Sequence, residues 1–156
     1  MELIDNKRAR DAQDLVKRWK AAVTDPKAQR SLNSLLKSLP SLIQANGLGA
    51  TLAYLKTRDD NQNAKRCFDG IGTYLKPHLG SGDDPLEAIT QADNWTYLRA
   101  EAEAIAFLRW VREFGRVHLK REGDEEPSPT SVPSGAPQAA TGTSAGKSKN
   151  RGKGPS

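Results

Sequence analysis

Apolar residues before residue 122 recur at alternating intervals of three and four, the spacing that places side chains on one face of an α-helix. The first predicted helix runs from about Asn6 to Val23, with Asp5 as its N-cap. Its apolar stripe consists of Ala9, Ala12, Val16, Trp19 and Val23. The cations of the opposite face are Lys7, Arg10, Lys17 and Arg18. Asp14 lies among them, four residues from Arg10 and from Arg18, and can pair with either.

Four more helices are predicted between residues 25 and 91. Asp25-Pro26 and Asp84-Pro85 each combine a capping residue with a proline that suits the first helical position. Pro40 lacks an N–H group, so we expect the second helix to kink or restart there. Gly47 suits the position that ends a helix, and a third helix follows from Leu48 to Thr57. A fourth helix carries Gly70 and Gly72, which weaken it unless they allow close packing, and Pro77 and Gly80 are expected to end it.

The sixth helix is predicted to be the longest, from about Asn94 to Glu122. Between Tyr97 and Leu108 it is apolar nearly all round, which is typical of a central core helix. Further on, four cations share one angular sector beside Trp110: Arg109, Arg112, Arg116 and Lys120. Glu113 stands beside this row and can pair with Arg109. Two interpretations stay open, a surface for phosphates and a solvated face with one salt bridge.

The composition supports an all-α fold. Residues 1–126 contain 16 Leu and 15 Ala against 4 Val and 5 Ile, and Leu and Ala favour helices over strands. We therefore predict one compact bundle of five to six helices over residues 1–126, with the long C-terminal helix at its centre. Residues 127–156 are rich in Pro, Gly, Ser and Thr and have almost no large apolar side chain, so they are predicted to form a disordered basic tail.

The net charge of +5 is distributed unevenly. Residues 1–66 hold 13 basic and 7 acidic residues, whereas residues 67–126 hold 7 basic and 12 acidic ones. The tail adds four positive charges and no acid. The helical part is therefore nearly neutral but divided into a basic and an acidic half, which favours a subunit of an assembly over an independent nucleic-acid binder.

Nothing in the chain indicates catalysis. One Cys and two His cannot supply a structural zinc site, and neither paired catalytic carboxylates nor a cofactor motif is evident. We expect Cys67 and His118 to be packed side chains, and we predict no catalytic residue, metal or cofactor. No apolar run is long enough to span a membrane, and no secretory signal is evident, so a cytoplasmic protein is expected.

Two groups of motifs indicate a family. The first comprises Leu39-Pro40-Ser41-Leu42-Ile43, Asn46-Gly47-Leu48-Gly49 and Leu52-Ala53-Tyr54-Leu55-Lys56. The second comprises Tyr97-Leu98-Arg99-Ala100, Glu103-Ala104 and Leu108-Arg109-Trp110-Val111-Arg112-Glu113-Phe114. In this order and separation they resemble the small subunit of the type III-B CRISPR effector, the Cmr or RAMP-module complex. The match spans about Ser31 to Phe114, and the tail has no counterpart in the family pattern.

The resemblance implies a compact α-helical protein without catalytic activity of its own. Several copies would stack as a minor filament beside the backbone subunits that hold the guide RNA. They would help to hold target RNA against the guide and would support the large and nuclease-bearing subunits, in a cytoplasmic antiviral role. Only Arg109 and Arg112 lie both in a matching segment and in the basic row of the sixth helix.

The candidate RNA contacts are therefore ranked from the residues. The first candidates are Arg109, Arg112, Arg116 and Lys120, and the second are Lys7, Arg10, Lys17 and Arg18. A subunit that lines RNA irrespective of sequence needs cations for phosphates and no base-reading pocket. The alternative is a helical adaptor whose charged faces bind only protein.

Overall fold

The computed structural model of the chain describes residues 3–58, 60–80, 82–121 and 123. These residues form helices and loops without a strand, which confirms the all-α prediction. The helices are α1 (Ile4–Ala22), α2 (Pro26–Asn46), α3 (Leu48–Thr57), α4 (Gln62–Leu79), α5 (Pro85–Gln91) and α6 (Asn94–His118). The predicted tail, 127–156, lies outside the described residues. None of the six helices is both long enough and apolar enough to cross a membrane.

The helix α6 is the central element, as predicted, with α1, α2 and α4 packed around it. Its inward residues are fully or almost fully buried: Ala100, Ala104, Phe107, Leu108 and Val111. Near its start, Glu101 accepts a hydrogen bond from the backbone N–H of Leu48. Near its end, Asn33 of α2 donates to the carbonyl of Gly115. Because Leu48 comes two residues after the end of α2, these two contacts show that α2 runs antiparallel to α6 along almost its whole length.

Short polar side chains begin most of the helices, because they satisfy amides that have no partner within the helix. The predicted caps at Asp25 and Asp84 are confirmed, since each carboxylate accepts a hydrogen bond from a first-turn N–H. The predicted cap at Asp5 is wrong, because α1 begins at Ile4 and its N-cap is Leu3. Asp5 lies in the first turn instead, where its carboxylate accepts a hydrogen bond of 3.0 Å from the indole N–H of Trp110.

Two prolines lie inside helices, so α2 does not restart at Pro40 and α4 does not end at Pro77 as expected. The helix α2 continues through Pro40, and α4 continues through Pro77 to Leu79. Around Pro40 the apolar face stays buried on both sides, at Leu39 and Ile43. Burial of these side chains offsets the missing hydrogen bond, because each contributes about 1.5–3 kcal/mol. The chain leaves α4 only at Gly80, whose φ of 85° suits glycine.

Gly70 and Gly72 of α4 allow neighbouring helices to pack closely, which was the condition under which a helix was expected to tolerate them. A Cβ at Gly70 would lie 3.0 Å from side-chain atoms of Leu15 and Trp19 on α1. A Cβ at Gly72 would lie 2.7 Å from Pro85 at the start of α5. Both distances are shorter than ordinary packing permits, so these positions let α1 and α5 approach α4.

The helix α6 ends at His118, four residues before the predicted Glu122, which itself is not described. After His118 the backbone is extended and the side chain of Leu119 turns into the core, with 4% exposed. Two polar side chains of α2 hold this end. The amide oxygen of Gln29 accepts from the N–H of Lys120 at 3.1 Å, and Asn33 donates to the carbonyl of Lys120 at 3.3 Å. Lys120 was assigned to the basic row because it was predicted to be helical. It therefore lies outside α6 and outside that row.

Candidate nucleic-acid interface

The structure divides the predicted row of α6. Arg112 and Arg116 line a cleft of about 510 Å³ between α2 and the end of α6. The other lining residues are Arg30, Asn33, Ser34, Lys37 and Arg121. We call this surface the basic cleft. Among the described residues it is lined by five cations and no carboxylate.

Glu113 pairs with the cleft arginines and not with Arg109 as expected. Its carboxylate oxygens lie 3.3 Å from a guanidinium nitrogen of Arg112 and 3.3 Å from one of Arg116. Exposed ion pairs of this kind contribute about 0–1 kcal/mol, and salt screens them. Glu113 therefore reduces the positive field of the cleft without locking either arginine.

Arg109 and Lys120 both lie outside the basic cleft. Arg109 is exposed and has no partner among the described residues. Lys120 is also exposed, and its backbone is fixed by Gln29 and Asn33. The two residues precede and follow the cleft arginines along the chain.

The predicted basic face of α1 is not a continuous cationic strip. Lys7 and Arg18 line a second channel, of about 730 Å³, whose walls are α1 and α4. Arg10 and Lys17 are exposed outside it. Asp11 and Asp14 line the same channel, and Asp11 accepts an ion pair of 2.8 Å from Lys7. Asp14 has no partner among the described residues and so does not form its expected ion pair. We call this channel the α1/α4 groove.

The floor of the α1/α4 groove holds a hydrogen-bonded network that joins three helices. Arg8 of α1 contacts Glu103 of α6 through two bonds, at 2.5 and 3.0 Å, and Tyr74 of α4 donates to the same carboxylate at 3.1 Å. The ring of Tyr74 stacks on Phe107 with their centroids 3.8 Å apart. Hydrogen bonding from Arg8 holds the pKa of Glu103 below its usual value, and burial raises the pKa of Tyr74 to about 12. Arg8 is thereby committed to holding the fold.

The three cleft cations that were missed are Arg30, Lys37 and Arg121. Arg30 and Lys37 are spaced seven residues apart, so they share the outer face of α2 opposite its leucines. That spacing indicates a polar helix face, but no pattern within α2 shows that this face meets α6. Only the antiparallel packing of α2 against α6 brings Arg30 and Lys37 to the α6 arginines and to Arg121, which follows the end of α6.

No reactive side chain emerges from the described residues. Burial raises the pKa of the Cys67 thiol to about 12, and the residue is 1% exposed, so its thiolate is scarcely populated at neutral pH. His118 is half-buried against Phe114, as expected for a packed side chain. No three His, Cys, Asp or Glu side chains of the described chain are grouped so that they could hold a metal ion.

Comparisons with known proteins give a consistent result. The family described as CRISPR-associated protein (Cas_Cmr5) matches residues 4–117, from the first residue of α1 to the penultimate residue of α6. The chain is also similar to the CRISPR system Cmr subunit Cmr5 of Thermotoga maritima. The two are 31% identical over 93 residues, which cover 58% of this chain and 68% of the relative.

Proposed function

The chain belongs to the Cas_Cmr5 family, and on this basis we propose that it is a non-catalytic subunit of a type III-B CRISPR ribonucleoprotein effector, a Cmr complex. In this proposal several copies stack as a minor filament in the cytoplasm, beside the backbone and large subunits. They help to hold target RNA against the guide RNA in antiviral defence. The family match supports membership of the complex, and the basic cleft supports the contact with RNA.

The basic cleft is the observation that carries the RNA contact. Four of its cations come from α2 and α6 and the fifth, Arg121, from the segment after α6, so a phosphodiester backbone can meet several of them at once. No aromatic side chain is among its described lining, and its exposed uncharged polar group is Ser34, since the buried Asn33 donates to the carbonyls of Gly115 and Lys120. Such a surface binds backbone without reading bases, as a subunit must when the guide supplies sequence specificity.

The remaining candidates are ranked below the cleft arginines. Arg109 precedes and Lys120 follows Arg112 and Arg116 along the chain, so these two cations could lengthen the RNA-binding surface beyond the basic cleft. The α1 residues Lys7, Arg10, Lys17 and Arg18 come last, because two of them share a groove with carboxylates.

The test removes cleft charge within an assembled effector complex. Arg112→Ala combined with Arg116→Ala is expected to weaken retention of target RNA and to reduce the slope of log affinity against log salt by about 1–2. The matched control is Lys65→Ala with Lys76→Ala, which removes the same charge from α4 outside the cleft. A separate Arg109→Ala variant measures whether Arg109 also contributes to RNA retention. Unchanged RNA affinity of the double cleft variant at several salt concentrations would contradict the proposed contact.

A second candidate function is a protein adaptor that makes no RNA contact. The pairing of Glu113 with both cleft arginines favours it, since the cleft already contains part of its counter-charge. Crosslinking of the assembled complex to target RNA separates the two functions. RNA adducts on α2 or on the end of α6 support the RNA-holding role, whereas their absence supports the adaptor.

A further inference from the structure

The helix α6 carries an apolar stripe that faces solvent. Trp95 is 71% exposed and Leu98 is 51% exposed, and the exposed Ala102 continues the same side one turn further on. Single exposed apolar side chains are ordinary, but an exposed tryptophan beside an exposed leucine marks a surface that gains by being covered. We call Trp95, Leu98 and Ala102 the α6 stripe.

The surroundings of the α6 stripe favour a protein over RNA. An exposed tryptophan can stack on a nucleic-acid base, but the phosphates on either side of that base must also be accommodated. Here Asp93 caps the helix two residues before Trp95, and it lines a shallow hollow together with Asp84 and Glu87 of the α5 region. Asp84 is ion-paired with Lys56, but Asp93 and Glu87 keep this surface acidic, so it repels a phosphodiester backbone and base stacking at Trp95 is disfavoured.

The α1/α4 groove is the complementary feature of the same chain. Its walls hold the apolar side chains of Leu15, Trp19 and Pro77. Along α1 the lining extends from Ile4 to Trp19, about 22 Å at 1.5 Å per residue. The α6 stripe with the adjoining Ile105 covers about 15 Å on the same basis, so the groove is long enough to receive it.

The stripe and the groove lie on different sides of α6. Phe107 forms part of the groove floor, and at 100° per residue Leu98 lies roughly 180° around the helix from it. A chain therefore cannot bring its own stripe to its own groove. Two different surfaces that fit each other in this way make a head-to-tail contact, which can repeat from copy to copy.

Charges beside the two surfaces are also complementary. Arg99 follows Trp95 by one helical turn and is exposed, without a partner among the described residues. On the groove walls, Asp14 precedes Leu15 and Asp69 precedes Gly70, and both carboxylates are exposed and lack a partner in the described part of the chain. Because Leu15 packs against Gly70, each carboxylate is the sequence neighbour of a residue in this contact between α1 and α4. Arg18 and Arg66 line the same groove, but neither forms an ion pair with these two carboxylates, so an arginine delivered there forms charge-assisted hydrogen bonds with them.

We propose that the α6 stripe of one copy docks in the α1/α4 groove of the next copy, with Arg99 between Asp14 and Asp69. This assignment rests on the proposed function, because it names the two surfaces that would build the minor filament. It also gives a partner to Asp14 and Asp69, two groove carboxylates that have none among the described residues.

Cysteine crosslinking of the full chain tests the geometry. Leu98→Cys copies are mixed with Thr73→Cys copies under mild oxidation, because Thr73 is exposed on the groove wall. The native Cys67 is buried and serves as an internal background. The expected product is the mixed disulfide, at least tenfold above that formed between Leu98→Cys and the control Lys65→Cys, which is exposed on α4 outside the groove. Predominant Leu98→Cys homodimers, or no product above the control, would overturn the proposal.

Charge reversal tests the role of Arg99. In sedimentation of the full chain, Arg99→Glu is expected to weaken self-association about tenfold, and mixing it with Asp14→Lys/Asp69→Lys copies is expected to restore a mixed assembly. Weakening without this rescue would show that Arg99 does not meet these carboxylates. The outcome is independent of RNA. Head-to-tail crosslinks together with unchanged RNA retention by the cleft variants would contradict the RNA contact alone, and the reverse result would contradict the docking alone.

Discussion

The basic cleft and the α1/α4 groove are both channels between two helices, yet their charges are arranged differently. The groove is lined by four cations and four carboxylates. These are Lys7, Arg8, Arg18 and Arg66, and Asp11, Asp14, Asp69 and Glu103. The cleft has five cations and no described carboxylate in its lining. Two of the groove cations are bound to separate acids that line the groove, at Lys7–Asp11 and Arg8–Glu103, whereas Arg112 and Arg116 of the cleft share Glu113, which is not part of the cleft lining. A cation count alone therefore does not identify a phosphate site.

The burial of the ion pairs differs in the same way. The side chains of Arg8 and Glu103 are 19% and 20% exposed, whereas those of Arg116 and Glu113 are 60% and 47% exposed. A partly buried, doubly bonded pair holds helices together, because a lost partner leaves a desolvated charge behind. An exposed pair remains exchangeable, so its arginine can turn to an incoming phosphate. Variants of Arg8 and Glu113 therefore test whether the first pair holds the fold and the second stays exchangeable.

The largest effect is expected from Arg8→Ala, which leaves Glu103 partly buried without its guanidinium. The free energy of unfolding should fall by about 1–3 kcal/mol. Lys7→Ala, the neighbouring cation whose pair with Asp11 is 64% and 37% exposed, is the matched control and should change stability by less than about 0.5 kcal/mol. Urea unfolding of both variants measures the difference. Equal effects would show that the network does not join the helices as inferred.

The second prediction concerns the pH dependence of the same pair. Arg8 lowers the pKa of Glu103 in the folded chain, so the unfolded chain binds that proton more readily. The stabilisation is therefore complete above the unfolded pKa of about 4.3 and is lost as pH falls through the lower, folded value. The stability gap between the wild type and Arg8→Ala should be constant from pH 7 to about 5 and should narrow below about pH 4. A constant gap in acid would contradict the assigned pair.

Features within one helix could be predicted from the sequence, whereas contacts between helices could not. Features that depend on one helix were predictable, because they arise from spacing or from a cap: the stripe of α1, the caps Asp25 and Asp84, and the outward face of Arg112 and Arg116. Contacts between helices were not. The match of Arg8 to Glu103 joins residues 95 apart in the chain, and the Gln29 contact that holds Lys120 joins residues 91 apart.

Where local propensity conflicted with packing, packing decided the outcome. Pro40 disfavours a continuous helix, but the burial of Leu39 and Ile43 keeps α2 intact. The end of α6 was placed too late because Leu119 and Lys120 continue a helical pattern. In the structure Leu119 enters the core and the polar side chains of α2 capture the backbone after it. Both corrections depend on a neighbouring helix that no periodicity within the segment reveals.

The smallest change in stability is expected from Glu113→Gln, which should instead increase the binding of RNA. The substitution removes the acid paired with Arg112 and Arg116 but keeps the size of the side chain, so unfolding free energy should change by less than about 0.5 kcal/mol. RNA retention by the assembled complex should rise, because Arg112 and Arg116 no longer have to leave the Glu113 carboxylate in order to bind a phosphate. The rise should be largest at low salt and vanish near 1 M, where the Debye length is about 3 Å. Asp11→Asn in the groove is the matched control, since it also removes one exposed carboxylate at constant side-chain size, and it should leave RNA retention unchanged. If both substitutions raise retention equally, the effect is one of net charge, and the cleft has no privileged role.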